Sequence, residues 1–143
     1  MIRAVLDTNI LISAIISDGV PSQLVASARR GEFVAVCSPY IIDELRRVMT
    51  DKLGFDAEEV DRIALAIARG SQMVPVFEAS GTWCDDAAAD AIVETALRGG
   101  AAYVVTGDRG LLGVRIGGPP CVVVVTAGEF AELVEGRAQS GSI

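Results

Sequence analysis

The chain has 143 residues, 51% hydrophobic and 22% charged, which is one domain's length with enough apolar content to bury a core without staples. Twelve basic residues stand against 19 acidic ones, a net charge of −7, which argues against a stand-alone basic platform for nucleic acid. The chain has no histidine, a single lysine (Lys52) and no CxxC among Cys37, Cys84 and Cys121. Ser-His-Asp and Cys-His catalysis, His-bearing zinc sites, zinc knuckles and Gly-Lys-Ser/Thr phosphate loops therefore all drop out. Carboxylates are the chemistry that is left.

No apolar run reaches the roughly 18 residues needed to cross a bilayer. Asp7 and Asn9 break the apolar start, which no signal-peptide core would carry. The expectation is a soluble, cytoplasmic protein with no membrane partner.

The first apolar run, Ile2 to Leu6, is short and β-branched, and it closes on Asp7, which is placed to cap a following helix. Pro21 opens a helix through Ser22 to Arg30, closed by Gly31. A second strand-like run spans Phe33 to Cys37. Ser38 then reads as N-cap and Pro39 as the first position of a helix carrying Ile41, Ile42, Leu45, Val48 and Met49. Asp56 with Glu59 is a capping-box variant, and Gly70 ends that helix. Met73 to Phe77 is a third strand, and a helix from Asp85 to Arg98 follows. Tyr103 to Thr106 and Cys121 to Val125 are two more strands, separated by a Gly/Pro-rich loop at 113–120. Thr126 with Glu129 opens a last helix through Phe130, Leu133 and Val134. Strands alternating with helices predict an α/β domain with a central, mainly parallel sheet flanked by helices. It spans residues 1–135, and 136–143 read as a disordered tail.

In such a sheet, ligands bind beyond the carboxyl ends of the strands. Asp7 ends the first strand and Asp108 follows the fourth. Either alone reads equally as a cap or a turn residue. Glu44 borders the apolar face of the Pro39 helix, whereas Asp43 reads as a plain surface acid. Asp86, Asp90 and Glu94 form a like-charged i, i+4, i+8 stripe, at a cost of about 0.2–0.5 kcal/mol per pair. No basic residue stands three or four positions from Asp90, so a solvated acidic face and a cation-binding face are both open. Taken together, oxygen ligands without His or Cys suit magnesium or manganese, which can activate water and stabilise displacement at phosphorus. Arginines beside the acids, Arg109 and then Arg46, would bring in a substrate phosphate, while Arg47 reads as a solvated position.

The segments LDTNILISAI, SPYIIDEL and DAIVETALRGGAAYVVTGDRGLL resemble the PIN-domain family, and within it the VapC-like toxins of bacterial toxin–antitoxin systems. The spacing of Cys84-Asp85-Asp86 before Asp90 and the late TAGEFAELV are similar to the longer branch of those toxins. The resemblance implies a three-layer PIN-like domain and a Mg2+- or Mn2+-dependent endoribonuclease. Asp7, Glu44, Asp90 and Asp108 would be its catalytic acids, with Asp7, Asp90 and Asp108 on the metal. Asn9, Thr106 and Asp86 would support them. It also implies an RNA substrate, a cognate antitoxin protein and a homodimer. Gly110 stands where many relatives carry a further Asp, and residues 87–89 are alanines where relatives carry proline and more acids. The alternative from another class is an inactive PIN-like module serving dimerisation or antitoxin binding. A haloacid-dehalogenase-like phosphatase would need a second Asp where Asn9 stands, and a receiver domain would need a lysine after its last core strand.

Overall fold

The computed structural model describes residues 1–78, 87–108, 115–116 and 121–140, and among these the apolar runs pair into one six-stranded sheet. Its strands are β1 (Arg3–Leu6), β2 (Val34–Cys37), β3 (Gln72–Met73), β4 (Tyr103–Val105), β5 (Arg115–Ile116) and β6 (Val122–Val125). The spatial order is β3-β2-β1-β4-β6-β5, with every pair parallel except β5 against β6. The helices are α1 (Thr8–Ile16), α2 (Val20–Arg29), α3 (Pro39–Asp51), α4 (Ala57–Arg69), α5 (Ala87–Arg98) and α6 (Ala127–Ser140).

Burial on both faces explains why the strands read as continuous apolar runs rather than alternating ones. Ala4, Val5 and Leu6 are buried in succession, as are Ala35, Val36 and Cys37. Successive strand residues point to opposite faces. Leu6 and Ala35 face a small apolar void lined also by Val25 and Ala28 of α2 and Ala66 and Ile67 of α4. Val36 faces the other way and meets the end of α5 at Gly99. Helices thus cover both sides of the sheet, giving the three-layer α/β arrangement that the sequence predicts. Phe33 packs edge-on against Phe130 of α6, ring centroids 4.9 Å apart, and Tyr103 lies 5.8 Å from the same ring.

The caps follow the sequence: Ser38 accepts from the Ile41 N–H at 3.4 Å and Asp56 from the Glu59 N–H at 2.9 Å. Three boundaries differ from expectation. The third strand covers only Gln72–Met73, because Pro75 has no N–H to continue the ladder, although Val74 and Val76 remain buried. The 113–120 loop contains β5, whose Arg115 and Ile116 pair with Val123 and Val122. The last helix runs through Gly136 to Ser140, inside the stretch expected as a tail. Among the described residues no single helix is long and apolar enough to cross a membrane.

Two predictions follow from this packing. A Cβ on Gly99 would lie 2.3 Å from Val36 Cγ1 and 3.1 Å from the Thr95 carbonyl. Gly99→Ala is therefore expected to lose about 1–3 kcal/mol in urea unfolding. Gly136→Ala, where a Cβ meets nothing within 4 Å, should gain rather than lose stability.

The second concerns Cys37, where burial pushes the thiol up from its ordinary 9.0 to about 11. Folding disfavours its thiolate, so native stability should fall as pH rises from about 9 towards 11. At about pH 8, where an exposed thiol is already partly ionised, iodoacetamide should leave Cys37 unlabelled in the native protein. Denaturation should expose it, read by mass spectrometry of the peptides. Native labelling of Cys37 at the rate of the half-buried Cys121 would contradict its burial.

Candidate active site

The chain runs from β1 outwards through β2 to β3, then returns to lay β4 on the other side of β1. This makes the β1/β4 border the switch point of the sheet, where the two connections leave in opposite directions and a crevice opens. Asp7 directly follows β1, while Thr106 and Asp108 follow β4. The Asp7 N–H donates to the Val105 carbonyl at 2.9 Å, carrying the ladder one residue beyond the strands.

A buried hydroxyl organises what stands there. Thr106 Oγ1 donates to Asp7 Oδ2 at 2.7 Å. It also accepts from the Asp108 N–H at 3.0 Å and from Asn9 Nδ2 at 3.4 Å. One proton and two lone pairs are the whole capacity of a hydroxyl, and all three are used. Thr106 has no exposed surface. Asp7 caps α1 by accepting from the Thr8 N–H at 2.7 Å and takes a further 3.3 Å contact from Asn9 Nδ2. Asn9 Oδ1 accepts from the Gly107 N–H at 3.1 Å, so the loop after β4 is tied to α1 twice over. Asn9 and Thr106 thus fix the Asp7 carboxylate and hold the backbone that carries Asp108.

Glu44 is brought in from α3. The open cleft beside Asp7 has a volume of about 430 Å³ and is lined by Asp7, Asn9 and Asp108, by Glu44, Val48 and Lys52 of α3, and by residues of α1 and α5. Glu44 is 25% exposed and lies 3.7 Å from Arg47, while Asp43 points to solvent. A second buried hydroxyl sets α3 against α5: Thr95 Oγ1 contacts Ser38 Oγ at 2.9 Å and donates to the Ala91 carbonyl at 2.8 Å. Both side chains have no exposed surface.

Asp90 lies on α5 one residue beyond Ala89 of the cleft wall, but it is fully buried and does not line the cleft. Glu94, the next acid of the stripe, has a cation of its own in Arg98, 3.4 Å away and one turn on. Arg46 turns from the cleft to pair with Asp61 of α4. Asp86, Arg109 and Gly110 lie outside the described residues. Sequence reading missed Thr95 and Lys52. Lys52 carried a legible signal, because residues 44, 48 and 52 share one helix face.

The sequence profile of the PIN domain matches residues 3–110, which is most of the chain. The chain belongs to the PIN-domain family. The match covers Asp7, Asn9, Glu44, Asp90, Thr106 and Asp108. PIN domains are generally nucleases that act on nucleic acid and typically use divalent metal ions. None of the curated proteins compared with this PIN domain matches it.

The donor set of this PIN domain fits such an ion. Every candidate ligand is an oxygen, and the cleft holds three carboxylates against one ammonium. Among the described residues no three carboxylates converge into a cage. Oxygen donors suit magnesium, which keeps several waters and takes one or two carboxylates plus substrate phosphates.

The Thr106 hydroxyl gives a direct test. Thr106→Val keeps the shape but strips a charge-assisted bond from Asp7, so it is expected to destabilise the fold by about 1.5–3 kcal/mol. Thr106→Ser should recover most of that in the same denaturation measurement.

Proposed function

We propose that this PIN domain is a metal-dependent endoribonuclease and the toxin of a bacterial toxin–antitoxin pair. The observation that carries the reading is that Asp7, Asp108 and Glu44 all line one open cleft, with the Asp7 carboxylate and the Asp108 N–H both bonded to Thr106. Asp7 and Asp108 would hold Mg2+ or Mn2+, and Asp90 is the third acid that this reading assigns to it. When bound, the ion supplies Lewis-acid polarisation of the scissile phosphate and a more acidic water. Glu44 accepts the proton of the attacking water, since it lines the same cleft and is partly open to solvent. Thr106 keeps Asp7 oriented throughout, and Asn9 holds the loop carrying Asp108 in place.

The likeness to VapC-like toxins supports the toxin assignment, and a protein antitoxin, a homodimer and cytoplasmic residence go with it. The second reading is an inactive module for dimerisation or antitoxin binding. What favours it is the lack of a ready-made three-carboxylate cage among the described residues.

Incubating the pure protein with assorted RNAs separates the two. Cleavage with millimolar magnesium or manganese, lost with chelator and in Asp7→Asn, is the expected result. Asn caps a helix as well as Asp does, so the variant should keep its fold. Thr106→Val should lower the cleavage rate about 10–100-fold, as a change to a metal ligand's hydrogen-bond partner does. A well-folded wild type that cuts no RNA with either metal would favour the inactive module.

A further inference from the structure

The charge balance leaves a physical problem. A cleft with three carboxylates repels an RNA strand everywhere except at the metal, yet a strand extends well past one phosphate. Arg46 is engaged by Asp61, and Arg47 is 68% exposed and leans on Glu44. Lys52 is different. It is the chain's only lysine, it lines the same cleft as Asp7, Glu44 and Asp108, and it is exposed. Among the described residues its side chain makes no ion pair or hydrogen bond. Lys52 stands two turns beyond Glu44 on α3, roughly 12 Å along the axis, with Val48 between them on the same face. That spacing leaves room for Lys52 to meet a phosphate next to the scissile one.

We infer that Lys52 binds the RNA strand through a phosphate flanking the scissile one, so that the strand runs along α3 from the acidic end of the cleft towards the end of that helix. The inference rests on the ribonuclease reading. The ammonium is a compact point charge on a flexible stem, suited to a phosphate whose position shifts with base sequence. Ile12 and Val48, both half-buried in the lining of the cleft, offer apolar contact to a base of the strand. A phosphate contact of this kind carries affinity and register but no sequence information.

The test measures the affinity of a short single-stranded RNA against salt with magnesium present, in the Asp7→Asn background that prevents cleavage. Lys52→Gln should weaken binding and reduce the steepness of the log-affinity against log-salt line by about 0.7, the share of one phosphate contact on a single strand. Lys52→Arg should restore both. Because Lys52 is exposed at the helix end, circular dichroism of each variant should match the parent. RNA binding with the same slope and affinity in Lys52→Gln overturns the assignment of Lys52 and leaves the ribonuclease reading standing. Absence of RNA binding and of cleavage in the wild type overturns the ribonuclease reading, and the Lys52 assignment with it.

Discussion

The bond on which the site depends is the one between the Thr106 hydroxyl and the Asp7 carboxylate, 2.7 Å long and sealed from solvent at its threonine end. It joins residues 99 positions apart in the chain and forms only when β1 and β4 are neighbours in register. The parallel pairing of Leu6 with Val105 places the residues that follow, Asp7 and Thr106, side by side. The sheet therefore determines the site: its central pairing brings an acid and its anchoring hydroxyl together. The same hydroxyl receives the Asp108 N–H, so one buried group ties the carboxylate of one acid to the backbone of another.

Much of this was legible in the sequence, for identifiable reasons. Strands buried on both faces announce themselves as β-branched runs, and Ser38, Asp56 and Pro39 mark helix starts through local hydrogen bonding and fixed φ. Asp7 and Asp108 stood out because the end of a parallel strand is a position the topology singles out. Glu44 was separable from Asp43 by helical phase alone, and the structure puts the first in the cleft and the second in solvent. What stayed hidden depended on long-range geometry. The stripe through Asp90 and Glu94 looked like one surface, yet Asp90 is buried and Glu94 pairs with Arg98. Arg46 adjoined Glu44's neighbours in sequence, but its phase sends it to α4. No local pattern could show that Thr95 would meet Ser38, since the contact crosses 57 positions.

An acidic protein acting on a polyanion has to separate two tasks that a basic protein merges. Net charge cannot recruit the substrate, so attraction must be local and short in range. On the proposed reading, a carboxylate-held ion and one ammonium in the same cleft would form such an arrangement, with attraction confined to the path of a single strand.

The contact between Thr95 and Ser38 has a mechanical consequence. It pins the start of α3 to α5, whose residues make up the opposing wall of the cleft. Glu44 lies roughly 9 Å along the helix from that pin and Lys52 roughly 21 Å. A tilt of α3 about the pin would carry the Lys52 end more than twice as far as the Glu44 end. In lever terms Lys52 is at the long arm and Glu44 at the short one, so any change of grip would be greater at the tip than at the acid.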